Sequence, residues 1–439
     1  MPDLVHPSDP RYALSRSQFI GRPVEVLPQA VAFCPDTDAV VEALAWARSR
    51  DMPFAIRGGG HSNACHSSTT GLLIDLTPNN DIKPDTTTVT VGAGVRVGEV
   101  AAALGARVVP SGSCPSVGLV GAALGGGFGS HGRLHGLTCD ALLSAEVVLA
   151  DGRVVHTDDE PELLWALRGA GGGNFGVVTR ATFRTHATTP RTHFRLEWPL
   201  RRAGELIRWW QEWAPFADDA VSAELVLLCP QFPEEDPVAL LVGAAPSLPA
   251  VPLEPTSAEV VELSALDAAR RHATPYSAAA LDPTSIPLIH DRPGMSTAKT
   301  EFFDRPLPAD AITALLHHFA ANREMGELRE VSFTPWGGAY RRTTDTAFVH
   351  RDPHFLVKHT VLVGPGGAAR RGGEVLAWLA DSWNTLHPWG TGGVYPNFPD
   401  PALPDWLTAY HGHHVDRLRA VKRHYDPDDT FRFAQSIPL

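Results

Sequence analysis

Two side chains able to form covalent bonds stand in glycine-rich loops of this sequence. His61 follows three glycines in "RGGGHS", and Cys114 lies 53 residues later (114 − 61) in "PSGSCPSVG". The imidazole has a bland reading, a hydrogen-bonded brace beside a turn, and a chemical one, because nothing bulky precedes it in the loop. A free cysteine is most often inert packing. Packing explains poorly one in a Ser/Gly/Pro loop, which becomes a nucleophile where its surroundings stabilise the thiolate. Tyr395 and Asn397 in "VYPNFPD" offer a phenol and an amide on an extended, proline-interrupted segment. That segment reads either as a surface loop with one anchoring aromatic or as part of a site. His411 and His414 in "HGHH" are three apart on an expected helix and could in principle share a metal. No metal-ligand motif supports them, so a solvated helix face is the preferred reading and no metal is expected.

The glycines around these residues are clustered at 58–60, 118–132 and 169–176, flanked by β-branched and aromatic residues. Such clusters mark tight turns or backbone lying against a ligand. A pyrophosphate wants backbone N–H groups, and glycine lets the chain approach it. Yet "GLVGAALGGGFGSHG" is not a good G-x-G-x-x-G between a strand and a long helix, and no G-x-x-x-x-G-K-[ST] occurs. Three clusters in one half of the chain therefore indicate a phosphate-bearing cofactor held by neither fingerprint.

The elements that must position these loops are short. "DAVVEALAWARSR" has apolar residues at helical spacing, and "PFAI" is a strand running into "RGGGHS". "GLLIDL" and "TVTVGAG" are strands, and "VGEVAAALGA" is a helix. "SAEVVLADGRVVHT" is a hairpin about Asp151-Gly152. "EPELLWALRGA" is a helix that runs into "GGGNFGVVTRATFRT", a strand in its second half. The texture changes near 186–200. Beyond it "AELVLLC" and "DPVALLVGAA" read as strands, and "SAEVVELSALDAARRHA" and "PADAITALLHHFAANR" as helices. "DWLTAYHGHHVDRLRAVKRHYDPDDTF" reads as a terminal helix closed by Asp-Pro. The pattern is α+β, with a second sheet expected to form the wall of a cleft.

Composition narrows the function further. The 439 residues carry a net charge of −12, without the basic footprint that nucleic acid requires. The longest apolar runs are too short to span a bilayer, and the first residues lack the pattern of a signal peptide. Five scattered cysteines with no C-x-x-C pair fit a reducing cytoplasm better than a disulfide framework.

Taken in order, "RGGGHS", "GSCPSVG", "GGGFGSHGRLHGLTCDALLSAEVVLADG", "LLWALRGAGGGNFGVVT" and "VYPNFPD…RLRAVKRHYDPDDTFRFAQSIP" form a recognisable series. It resembles the berberine-bridge-enzyme-like branch of the vanillyl-alcohol-oxidase / p-cresol methylhydroxylase (PCMH) flavoproteins. The resemblance runs through residues 18–185 and 390–439, and more loosely through "PWGGAY" and "DTAFVHRDPHF" between them. It implies a PCMH-type FAD-binding domain of two α/β subdomains, begun by residues 1–190 and completed by a C-terminal segment, 389–439. Residues 191–388 would form a substrate domain whose antiparallel sheet, backed by helices, roofs the flavin.

Residue by residue, the resemblance implies FAD bonded to His61 through the flavin 8α carbon and to Cys114 through C6. Arg57, Gly58, Gly59, Gly60 and Ser62, with Gly112 to Gly118, would wrap the pyrophosphate and ring. Gly121, Gly125, Gly126, Gly127, Gly136, Leu137 and Asp140 would form the next cofactor loop. Gly173, Asn174, Gly176 and Val178 would lie near the adenine side. Tyr395 and Asn397 would lie against the flavin, with Tyr395 as base or polar anchor; a tyrosine base near neutrality needs a lowered pKa. Val117 falls where the family controls oxygen access, and valine there resembles the oxidases.

Several positions depart from the pattern. Phe128 replaces a frequent tyrosine, Val120-Gly121-Ala122 replaces G-G-H, Cys65 replaces glycine, and His411 to His414 replace Y-G-x-N. These changes fall near the expected pocket and point away from a carbohydrate substrate. The reading that follows is an oxidase with a small-molecule substrate and O2 as partners, acting in secondary metabolism. The alternatives are a dehydrogenase or oxidative cyclase or isomerase of the same fold, and a non-catalytic binding protein. Oligomeric state is left open.

Overall fold

The computed structural model describes residues 3–19, 26–272, 294–342, 345–364 and 368–439. Among them the chain builds one large sheet and three smaller ones, the least of which pairs Arg107–Val108 with His186–Ala187. The first sheet places Asp3–Val5, Ala30–Phe33, Leu72–Asp75 and Phe54–Arg57 side by side, with Leu72–Asp75 parallel to both its neighbours. The second is antiparallel, in the order Ile82–Pro84, Thr88–Gly92, Val177–Arg184, Leu142–Val148, Val154–His156. Helix Thr37–Arg48 is started by Asp36, whose side chain accepts from the Ala39 N–H at 2.9 Å. Val40, Ala43, Leu44 and Ala47 form its buried stripe, as the i, i+3, i+4, i+7 spacing requires.

The large sheet has seven antiparallel strands among the described residues. Their order is Ser257–Leu263, Arg191–Pro199, Val238–Ala245, Ser222–Cys229, Glu327–Pro335, Phe355–Val363, Met295–Phe303. Ser222–Cys229 alternates strictly between half-buried and buried residues. Leu225 and Leu227 face helices Ala203–Trp213 and Ala309–Ala320 in one core, while Ser222 and Glu224 take the other face. Two sequence expectations are corrected. "SAEVVELSALDAARRHA" is not one helix: Ser257–Leu263 is an edge strand paired to Arg191–Pro199, and the helix is Ala265–His272. A strand's worth of unpaired backbone beside it outweighed the helical spacing. The terminal helix is also broken, into Trp406–His411 and Val415–Tyr425, at Gly412 with φ 48°.

That terminal segment completes the first core: Leu418, Val421 and Phe431 pack with Phe175, Val177 and Leu163. It is locked by Lys422, fully buried, whose Nζ bonds Asp426 at 2.7 Å and donates to the carbonyls of Asn174 (2.9 Å) and Phe431 (2.6 Å). Asp426 in turn accepts from the backbone of Thr430 and Phe431. Asp426→Ala is expected to cost about 3–5 kcal/mol, because it leaves a buried ammonium with Asp429, 3.2 Å away and partly exposed, as its remaining carboxylate and frees the Thr430 and Phe431 N–H groups. Urea unfolding measures this, and a loss under about 1 kcal/mol would contradict the buried-charge account.

Candidate functional site

A cavity of about 1340 Å³ opens between the small sheets and the large one, and His61, Cys114, Val117, Tyr395 and Asn397 all line it. Strand Phe54–Arg57 delivers the chain into "RGGGHS" at its mouth. Here two glycine loops touch backbone to backbone. A Cβ on Gly59 would lie 2.2 Å from the Gly118 nitrogen, so no other residue fits. The second loop is tied down by N–H bonds from Val97 to the Val117 carbonyl and from Gly98 to that of Pro115, both 2.9 Å.

This contact brings the two candidate nucleophiles to one hydroxyl. His61 Nε2 lies 3.0 Å from Ser116 Oγ, and Cys114 Sγ lies 3.4 Å from the same atom. The His61 ring also stacks on Phe19 at 4.0 Å between centroids. Burial, with Arg96 adding to it against the Ser116 hydrogen bond, pushes the imidazole pKa down to about 3. His61 is therefore neutral at physiological pH and keeps a lone pair, the form in which imidazole bonds to carbon or metal.

Tyr395 is buried among aromatic rings, with Phe128 at 5.1 Å, Phe398 at 5.3 Å and Phe348 at 6.1 Å between centroids. Its hydroxyl oxygen accepts from the Gly127 N–H at 2.7 Å and from Asn397 Nδ2 at 3.1 Å. Asn397 also donates to the Ala122 carbonyl, and a Cβ on Gly125 would collide with its side chain at 2.1 Å. Burial nevertheless raises the Tyr395 pKa above the usual phenol value, the opposite of the lowering a base at neutrality needs. This residue is a neutral phenol whose acceptor positions are engaged.

Of the other expected cofactor residues, Gly58, Gly60, Ser62, Gly112, Gly118, Gly121, Gly127, Gly173, Asn174, Gly176 and Val178 line the cavity. Arg57, Gly125, Gly126, Gly136, Leu137 and Asp140 do not; they stand behind it and brace the loops. Arg57 is buried and donates to the carbonyls of Ser15, Arg16 and Ser17. Asp140 is gripped by Arg351 through two bonds of 2.7 and 2.9 Å and accepts from the Leu137 N–H. The side chain of Asn174 is spent on the Ala170 carbonyl and the Ile437 N–H. His411 is buried, and His414 Nδ1 bonds the Ala347 carbonyl at 3.0 Å, so neither forms the solvated face expected.

Sequence reading missed Phe19 and a polar row on the large sheet, where Glu224, Ser332, Thr334 and Lys358 line the cavity; Ser116 falls inside the expected 112–118 loop, but its place between His61 and Cys114 was not foreseen. The available signal was the alternation in "SAELVLLC", which puts a carboxylate on a strand's second face.

Comparison with known proteins matches residues 28–158 to the family described as "FAD binding domain" and 394–438 to "Berberine and berberine like". The FAD-linked oxidoreductase YgaK of Bacillus subtilis is 31% identical, over 99% of this chain and 96% of its own. A chitooligosaccharide oxidase of Gibberella zeae is 28% identical, over 93% of this chain and 87% of its own. The structure of Physcomitrella patens BBE-like 1 superimposes with a TM-score of 0.86 at 25% identity, covering 100% of this chain and 97% of that one.

Proposed function

As the chain belongs to the berberine-bridge-enzyme-like FAD-linked oxidoreductases, we propose that it is an oxidase with covalently held FAD. Its substrate is a small molecule with a C–H bond next to an alcohol or amine. The observation that carries this reading is the pair of nucleophiles, His61 and Cys114, on one cavity wall within reach of one Ser116 hydroxyl. The site suits FAD on its own terms. Any Cβ at Gly59 would force apart the two glycine loops that line the cavity, and the imidazole that would carry the bond is neutral.

When bound, FAD supplies hydride acceptance and passes the electrons to O2, giving H2O2. The chain supplies position and polarity. Asn397 and the Gly127 N–H fix the Tyr395 hydroxyl, leaving its proton to be donated to a substrate oxygen or nitrogen. Val117 presents a small apolar side chain to the cavity, which supports oxygen access. The reaction belongs to secondary metabolism in the cytoplasm on this reading; five cysteines with no disulfide among them fit a reducing compartment.

Acid-precipitated protein is expected to stay yellow. His61→Ala and Cys114→Ala should each keep one bond, and the double variant should release all its flavin, as read by intact mass. Free FAD in the supernatant of the wild-type protein would sink the covalent reading. Reduced flavin that persists for minutes in air would sink the oxidase reading.

A further inference from the structure

Strand pairing lays out the cavity face of the large sheet in two rows. Val226, Ser332, Lys358 and Thr300 stand opposite one another across four strands, and the Thr300 hydroxyl accepts from the Tyr395 N–H at 3.2 Å. In the adjacent row Glu224 stands opposite Val242, and Thr334 opposite Leu356. Lys358 Nζ is paired with Glu330 at 3.1 Å. Glu224 accepts from Thr334 Oγ1 at 3.2 Å, its one hydrogen-bond partner among the described residues, and has no cation within ion-pair distance.

Other charges on this wall are matched. Arg195 pairs with Glu197 at 2.9 Å, and Glu259 pairs with Arg271. Around Lys358 two carboxylates share one ammonium, so among the charges on the strands of this wall Glu224 is the carboxylate without an ion pair of its own, while Arg432 lines the cavity from the C-terminal segment. A carboxylate with spare acceptor positions, removed from bulk water, is costly until a donor meets it. Phe128, Tyr395 and Phe398 line the same cavity as a cluster of aromatic rings, with Lys358 Nζ 5.5 Å from the centre of the Phe398 ring.

We propose that Glu224 selects the substrate by receiving the ammonium group of an amine carried on an apolar, ring-bearing body that packs on Phe128 and Phe398. This rests on the cavity being the substrate site, as in the reading above, and adds to that reading a protonated amine on the substrate body; an amine nitrogen next to the reacting C–H gives up that proton before hydride leaves. The retained positive charge of Lys358, held by Glu330, repels an ammonium misplaced toward the neighbouring row. Burial raises the Glu224 pKa, which an incoming cation would reverse.

The test is calorimetric binding of phenethylamine and its neutral isostere 2-phenylethanol to the purified protein under argon, with flavin content recorded separately. The wild-type protein is expected to prefer the amine by roughly 10- to 100-fold, the range of a charge-assisted hydrogen bond. Glu224→Gln should bring that ratio to about one, since the amide keeps the shape and loses the charge. Glu224→Asp, which keeps the charge, should retain a preference and serves if the glutamine variant misfolds. A wild-type ratio near one, no amine binding at millimolar concentration, or a preference that survives Glu224→Gln would each overturn the proposal. Protein without flavin would instead count against the oxidase reading and leave the binding result interpretable.

Discussion

Tyr395→Phe is expected to lower kcat/KM by roughly 10²- to 10⁴-fold, the range for a positioned proton donor or acceptor. The geometry makes the hydroxyl hard to replace. Its oxygen already accepts from Gly127 and Asn397, so its proton is directed at whatever occupies the cavity. Phenylalanine keeps the ring contacts with Phe128 and Phe398 but leaves the Gly127 N–H without an acceptor. That adds a stability loss of about 1–3 kcal/mol, measurable by thermal unfolding. Bound flavin should persist, which separates a chemical defect from a folding one. Because burial raises the phenol pKa, the phenolate forms only toward high pH. The neutral phenol, which is the donating form, therefore persists through the alkaline range, and wild-type kcat/KM should show no fall there from loss of the Tyr395 proton. Activity within a fewfold of wild type would remove Tyr395 from the chemistry.

Acidification from pH 6.5 to 5 is expected to destabilise the fold by about 2 kcal/mol for each histidine buried in neutral form. His359 and His411 are 1% and 3% exposed, and burial pushes each pKa down to about 3. His359 Nδ1 is bonded to Ser382 Oγ at 2.9 Å, and His411 Nδ1 has no hydrogen-bond partner among the described residues. The sign follows from proton counts. The unfolded imidazole titrates near 6.5 and takes up a proton below it, while the folded one does not until about pH 3. The stabilisation is thus complete above pH 6.5 and is lost as pH falls. Buried carboxyls such as Asp75 and Glu301, whose pKa values are raised by burial, oppose this trend. The clean readout is therefore a difference. His359→Asn should show a shallower fall in urea midpoint between pH 7 and 5 than wild type. Parallel curves for the two proteins would show that His359 is not held neutral.

The sequence by itself determined the local chemistry. Glycine clusters, the two nucleophiles in their loops, helix stripes and the alternation of strands are short-range patterns, set by sterics and by periods of 3.6 and 2. Those patterns located His61 and Cys114 and carried the family resemblance. Tertiary structure alone decided which groups meet. Ser116 joins His61 only because two loops 55 positions apart close on glycine, and Gly127 reaches Tyr395 across 268 positions. Asp140 was expected at the cofactor, but Arg351, 211 residues away, claims it. Ser257–Leu263 became a strand because an open sheet edge offered hydrogen bonds that no local period encodes. Glu224 stood out least in the sequence, as one acidic residue among many. Its place on the cavity wall depends on the register of three neighbouring strands, and its lack of an ion pair of its own depends on Lys358 being held by Glu330.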